Sequence, residues 1–384
     1  RPLYLWFHGR NEKLSEVACI SSMLKVKREF APPDAFELHL YGRYCNASKF
    51  AGETDAFEAL EEVIRHYPID TDRLAALGFS MGGATVWHLA AHHPGKWAVA
   101  SAGAGFAETA VYAKVLADGK EPPPPWEQTL WRWYDATVHA ANLANLPMLA
   151  YSGEIDPQKQ ASDIMAAFMA KEDLTLERWI GPNTAHKYEP ETKKQLSARI
   201  DAEIAAGSDP YPRDLRFVTY TLRYPRVKWI TLDRLEQHWE RAEISARLGE
   251  DALQITTKNL AAFTVTLPDH LLPAKVRIDG REIPGGGSQF CKLGGQWQRL
   301  PPDYGKGLHK RHGLTGPIDD AFLDSFIFVR PTGQAWHAKT GAWSQSELDR
   351  AIVEWRRVFR GEARVKNDTD ITAEDIASSH LILW

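Results

Sequence analysis

Apolar positions in the first half of the chain follow two alternating rhythms. Short apolar runs at residues 2–7, 35–40, 73–79, 97–101, 148–152 and 176–180 read as strands. Between them lie stretches with apolar residues three and four apart. Residues 14–27 have helical spacing, residues 53–66 place Phe57, Leu60, Val63 and Ile64 on one side, and residues 82–92 run up to Pro94. Strands alternating with amphipathic helices predict a mostly parallel sheet covered on both faces. Residues 106–146 break the rhythm with a proline run, Pro122 to Pro125, followed by Trp126, Trp131, Trp133 and Tyr134. An insertion at that place predicts a cap over the strand ends.

Beyond about residue 211 the pattern changes. Strand-like runs at 217–224, 227–232, 242–248, 253–257 and 262–267 follow one another without helices, and Asp279-Gly280 between two short β runs is a hairpin signal. From residue 326 the chain reads as strand, helix (347–359) and strand (380–383). The expected organisation is a helix-flanked parallel-sheet domain over residues 1–210, followed over residues 211–384 by a β-rich, sandwich-like module with a small α/β tail. The first run already reads as a buried strand, so the chain is expected to begin inside its first domain, with any targeting segment lost from its start.

The 384 residues carry 46 basic and 50 acidic side chains, a formal charge of -4, which makes no case for a nucleic-acid partner. No apolar run approaches the roughly 18 residues that span a bilayer. The three cysteines, Cys19, Cys45 and Cys291, fit no zinc motif and no disulfide framework, and neither a metal nor an organic cofactor is expected.

The densest chemical signal is Gly78-Phe79-Ser80-Met81-Gly82-Gly83, placed where a strand should end and a helix begin. That context is what a nucleophile elbow requires. Serine needs a base oriented by an acid, and in such folds the chain order is Ser, acid, His. The next strand with an acidic end supplies Glu154 and Asp156, and Asp156, beyond the strand and before Pro157, is the favoured acid. The following strand runs into His186, the expected base. His8, His88, His92, His93 and His139 do not follow the acid strand. The backbone N–H groups of Met81 and Arg10 are the expected oxyanion donors. Arg43 and Tyr44, on a loop after the second strand, and Trp126, Trp131 and Trp133 of the cap are candidates for contacting substrate.

With these motifs in view, Asp70 to Arg73, the elbow, Gly153-Glu154-Ile155-Asp156 and Ala185-His186 resemble the catalytic domain of prolyl-oligopeptidase-like hydrolases. They are similar also to the feruloyl-esterase and polyhydroxybutyrate-depolymerase branch of the α/β-hydrolases, and the latter half looks like that of bacterial multi-domain members. The resemblance covers residues 1–205. It implies the α/β-hydrolase fold, Ser80, Asp156 and His186 as nucleophile, acid and base, and acyl transfer to water without a cofactor. Because no β-propeller repeat is visible, the expectation is a carboxylic-ester hydrolase acting on aromatic or carbohydrate esters, secreted or periplasmic. A prolyl-oligopeptidase-like peptidase is the alternative. A polysaccharide-binding scaffold with a vestigial hydrolase domain is the alternative of another class.

Overall fold

A computed structural model describes residues 1–25, 30, 32–43, 45–116, 119–284 and 287–384. Six parallel strands form the first sheet: β1 (Leu3–Phe7), β2 (Phe36–Leu40), β3 (Leu74–Phe79), β4 (Val99–Gly103), β5 (Met148–Gly153) and β6 (Glu177–Gly181), in the order β2-β1-β3-β4-β5-β6. The helices between them are α1 (Glu16–Met23), α2 (Ala51–His66), α3 (Met81–His92), α4 (Thr109–Tyr112), α5 (Pro125–Leu130) and α6 (Lys159–Ala170), with α7 (Pro190–Ala206) after β6.

Strand periodicity sorts the core into two layers. Leu3, Leu5 and Phe7 of β1 join Leu60, Trp87, Leu89 and Met165 from α2, α3 and α6 on one face. Tyr4 joins Leu196, Ile200 and Ile204 of α7 on the other. This is the α/β-hydrolase fold expected from the apolar runs. The fourth run lies two residues further on than its reading, because Trp97 and Ala98 are buried as the loop entering β4. The insertion between β4 and β5 holds α4, α5 and two 3₁₀ stretches, Trp131–Trp133 and Ala136–Asn145.

The next ten strands make two five-stranded sheets. One contains β7 (Asp214–Thr219), β10 (Ala242–Leu248), β11 (Ala252–Lys258), β13 (Lys275–Ile278) and β14 (Arg281–Ile283). The other contains β8 (Arg226–Val227), β9 (Ile230–Leu235), β12 (Leu260–Val265), β15 (Gln289–Leu293) and β16 (Gln296–Arg299). Phe217, Ile244 and Ile255 from the first share one core with Leu232, Phe263, Phe290 and Trp297 from the second, so the sheets stack as a sandwich. The hairpin at Asp279-Gly280 joins β13 and β14, with both residues at positive φ.

The tail is a three-stranded parallel sheet, β17 (Phe326–Arg330), β18 (Val365–Asn367) and β19 (His380–Leu383), with α8 (Ala338–Phe359) and α9 (Ala373–Ser378). Helix α8 starts nine residues before its apolar pattern does. Its first turns present Trp343 and polar residues to solvent, so they carry no buried stripe to read.

Candidate active site

The elbow is built from close backbone approaches. Ser80, between β3 and α3, has φ 59° and ψ -120°, a conformation that costs a non-glycine residue about 1–3 kcal/mol. Its N–H donates to the Gly103 carbonyl at 2.7 Å, which ties the turn to β4. A Cβ on Gly78 would lie 2.4 Å from the Gly82 carbonyl oxygen, and one on Gly82 would lie 1.9 Å from that of Phe7. Only glycine fits at either place. The chain after β1 passes so near the elbow that a Cβ on Gly9 would sit 3.5 Å from the Ser80 Cβ.

Two loops converge on the same edge. Backbone bonds from Glu154 N–H to the Gly181 carbonyl (2.9 Å) and from Ile155 N–H to the Thr184 carbonyl (3.1 Å) staple the turn after β5 to the turn after β6. The staple brings His186 Nδ1 within 2.8 Å of Asp156 Oδ2. The Asp156 side chain is fully buried, and its other oxygen accepts from the Gln158 N–H at 2.8 Å. Glu154 instead points outward and accepts from the Asn183 N–H at 2.8 Å. The carboxylate beside His186 is therefore that of Asp156.

Ser80, Asp156 and His186 line one cavity of about 600 Å³ together with Met81 and Arg10. Met81 opens α3, where backbone N–H groups have no partner within the helix. The Arg10 side chain is exposed and paired with Glu12, and both residues line the cavity. The His8 ring nitrogens lie 2.7 Å from the carbonyls of Gly9 and Tyr41, fixing the oxyanion-side loop to the loop after β2. The other competing histidines sit elsewhere. His88 and His93 contact the buried Glu53, while His92 and His139 are buried beside them.

The substrate-contact candidates are placed differently from their reading. Trp131 and Trp133 are buried, and the Trp133 ring packs edge-on to Phe50 at 5.6 Å and to Trp239 at 6.4 Å. Trp126 is 71% exposed on α5. None of the three lines the cavity; Trp133 instead packs against the sandwich side and the start of α2. Arg43 turns away from the cavity to Asp55, bonding through Nη2 to Oδ1 at 2.8 Å. Tyr44 lies outside the described residues.

The aromatic wall is instead Phe106 and Tyr112, whose rings stack at 3.9 Å and 16°. Cys45 and Ala47 pack in one cluster with Phe106, and with Asn46 they line the same cavity. Phe106 follows β4 as Cys45 follows β2, at the carboxyl edge of the sheet, and that placement is the signal that would have found Phe106. Behind the wall the Lys49 ammonium lies 5.1 Å from the Phe106 ring and 4.6 Å from the Tyr134 ring. Burial pulls Lys49 down to about 8 and pushes the neighbouring Asp135 up to about 6. Among the described residues no cluster of histidine, cysteine or acidic side chains is arranged to hold a metal, and no helix is long and apolar enough to cross a membrane.

The chain has the α/β-hydrolase fold, with β-rich sheets appended. Residues 46–202 match the prolyl oligopeptidase family, peptidase family S9. A 125-residue segment is 33% identical to dipeptidyl-peptidase 5 of Porphyromonas gingivalis, covering 30% of this chain and 18% of that protein. Among solved structures, an acylaminoacyl peptidase of Pyrococcus horikoshii is 14% identical with a TM-score of 0.39, covering 53% of this chain and 36% of that one. A putative dipeptidyl aminopeptidase IV from Bacteroides ovatus is 15% identical with a TM-score of 0.41, covering 54% and 31%. The chain thus spans a minor part of each relative's length. The family matched is a peptidase family, which favours the peptidase alternative over the ester-hydrolase expectation.

Proposed function

We propose that the chain is a serine peptidase that cleaves peptide or aminoacyl amide bonds through an acyl-enzyme. The observation that carries this reading is the 2.8 Å contact between His186 Nδ1 and the buried Asp156, on the cavity that also holds the strained Ser80. The family match to residues 46–202 spans all three residues. In this reading Asp156 accepts the Nδ1–H and leaves Nε2 unprotonated. Nε2 takes the Ser80 hydroxyl proton as Oγ attacks the substrate carbonyl, then delivers it to the leaving amine. Water repeats the sequence on the acyl-enzyme and frees the acid. The N–H groups of Met81 and Arg10 hold the oxyanion, and Phe106 and Tyr112 offer a flat apolar wall to the side chain next to the reacting carbonyl.

The test combines labelling and turnover. A fluorophosphonate should label the protein, and Ser80→Ala should abolish labelling and lower turnover by about 10⁴-fold or more while the fold persists. A panel of peptidyl p-nitroanilides and p-nitrophenyl esters, each rated against its uncatalysed rate, distinguishes amide from ester chemistry. The greatest enhancement on an ester would return the ester-hydrolase reading, and full activity in folded Ser80→Ala would end the serine mechanism.

A further inference from the structure

The loop between β2 and α2 forms one wall of the cavity through Cys45, Asn46 and Ala47. Four of its non-glycine residues, Arg43, Ala47, Ser48 and Phe50, have φ between 48° and 54°. Such residues persist only where their surroundings over-determine them. The loop's own bonds are short-range. Asn46 Oδ1 accepts from the Ser48 N–H at 3.1 Å, and the Asn46 carbonyl from the Lys49 N–H at 3.1 Å. These fix its shape but not its position against the cavity.

The His8 ring bond to the Tyr41 carbonyl and the packing of Cys45 and Ala47 beside Met81 and Phe106 hold the loop near the elbow, and a further hold comes from Arg43. Its guanidinium grips Asp55 on α2 with two nitrogens, and its central carbon lies 6.0 Å from the ring of Trp355 on α8. The same group abuts the chain just after α8, where a Cβ on Gly361 would come within 2.9 Å of Arg43 Nη1. A planar fork held on one edge by a carboxylate and on its face by an indole fixes both distance and angle, which a lysine would not do. The tail therefore touches the wall loop directly, although it lies at the far end of the sequence.

We propose that Arg43 is a positioning residue for substrate, and that the C-terminal α/β tail holds the active-site wall in place through it. The inference rests on the serine-hydrolase reading above. Arg43 touches no reacting atom; it sets where Cys45 to Ala47 meet the part of the substrate that extends past the carbonyl. Losing it should weaken recognition of an extended substrate and leave the chemistry at Ser80 intact.

The experiment compares a short and a long probe on the full chain. The short ones are p-nitrophenyl acetate and a small fluorophosphonate; the long one is an N-acyl dipeptide p-nitrophenyl ester. Arg43→Ala should raise KM for the dipeptide ester about 10-fold with kcat within about two-fold, and leave fluorophosphonate labelling within about two-fold. Arg43→Lys should recover part of the loss. Trp355→Ala should reproduce the KM rise, and the double variant should be no worse than Arg43→Ala alone, since both remove one tether. Should Arg43→Ala fail to fold, Asp55→Asn and Arg43→Lys carry the same comparison. An unchanged KM in the Arg43 and Trp355 variants overturns the proposal, as does an equal loss of kcat on both substrates. A wild-type protein that fluorophosphonate does not label would instead remove the function on which the proposal rests.

Discussion

Replacing Gly82 by alanine tests the geometry of the elbow more sharply than replacing any side chain. The added Cβ would lie 1.9 Å from the Phe7 carbonyl oxygen, 2.6 Å from its carbon and 3.1 Å from the His8 carbonyl oxygen. All three are backbone atoms of β1 and the residue after it, so no rotamer change relieves the overlap. The first turn of α3 and the end of β1 must separate by roughly 1 Å, and overpacking of this kind costs about 1–3 kcal/mol or more. We expect a loss of about 3 kcal/mol, a fall in Tm of roughly 5–10 °C. The same separation carries Ser80 and Met81 away from Arg10, and a displacement near 1 Å at a reacting centre costs about 10²-fold in rate. Gly9→Ala is the matched control. Its Cβ would meet Ser80 Cβ at 3.5 Å and the Phe79 carbonyl oxygen at 3.6 Å, which are ordinary contacts. Thermal unfolding and kcat/KM on a p-nitrophenyl ester should separate the two variants clearly. A Gly82→Ala protein that melts and turns over like Gly9→Ala would refute the close approach on which this account of the elbow depends.

Asp156→Asn should favour the wrong imidazole tautomer of His186 and lower kcat by about 10⁴-fold, whereas Glu154→Gln should cost less than about 10-fold; steady-state kinetics with reversed effects would mean that the wrong carboxylate has been named. Asp135 is pushed up to about 6 mainly by burial, with the Lys49 charge opposing. Its stabilising share is present in acid and lost as pH rises through that value. Lys49→Met should move the loss above pH 6 and make the difference in unfolding free energy between pH 4.5 and 7 larger by about 1 kcal/mol; an unchanged difference in denaturant titrations would show that the ammonium does not reach Asp135. Tyr224→Phe should cost about 1.5–3 kcal/mol in the same titrations, because its hydroxyl donates to the buried Glu53 carboxylate at 3.1 Å, and a loss below about 0.5 kcal/mol would contradict that bond.

The inner strands of the first sheet are legible because they are buried on both faces and leave nearly solid apolar runs, while the half-buried edge strands β2 and β6 still carry apolar residues among charged ones. Asp156 and His186 are legible because both follow such runs. The cavity wall was not, for a physical reason. A tryptophan-rich insertion looks like a binding surface, but indoles also fill space: Trp131 and Trp133 are both buried, Trp133 against Tyr224, Trp239 and Phe50. Whether an aromatic residue is packing or wall depends on which element covers it, and here that element, the sandwich with Trp239 and Tyr224, comes about a hundred residues later. Phe106 and Tyr112 stand out less, since neither belongs to a run, and their place beyond β4 is what exposes them to the cavity. Arg43 shows the complementary limit: its charge faces Asp55, 12 residues further along the chain on α2, rather than the cavity.

Three consecutive residues at the start of α2 explain why the later half of the chain belongs with the catalytic half. Successive helical residues point about 100° apart, so Glu53, Thr54 and Asp55 cover most of the helix circumference. Glu53 meets His88 of α3, which begins at the elbow, and His93 just past its end, and accepts from Tyr224 of the segment after β7. Burial pushes its carboxyl up, but the charges of His93 and His88 and their hydrogen bonds outweigh this and hold it well below the ordinary carboxylate range. Thr54 Oγ1 donates to the Leu323 carbonyl at 2.9 Å, just before the tail. Asp55 holds Arg43 and with it the wall. Removing the later half would take away the hydroxyl that donates to Glu53, the carbonyl that accepts from Thr54 and the indole beside Arg43 at once, three contacts made within one turn of the helix that follows the cavity wall. Leaving buried polar groups unpaired is costly in a way that exposing apolar surface alone is not. The sandwich and tail are therefore bonded into the frame that positions Ser80 and its wall, and their effect on substrate should be read at KM before it is sought at a separate binding face.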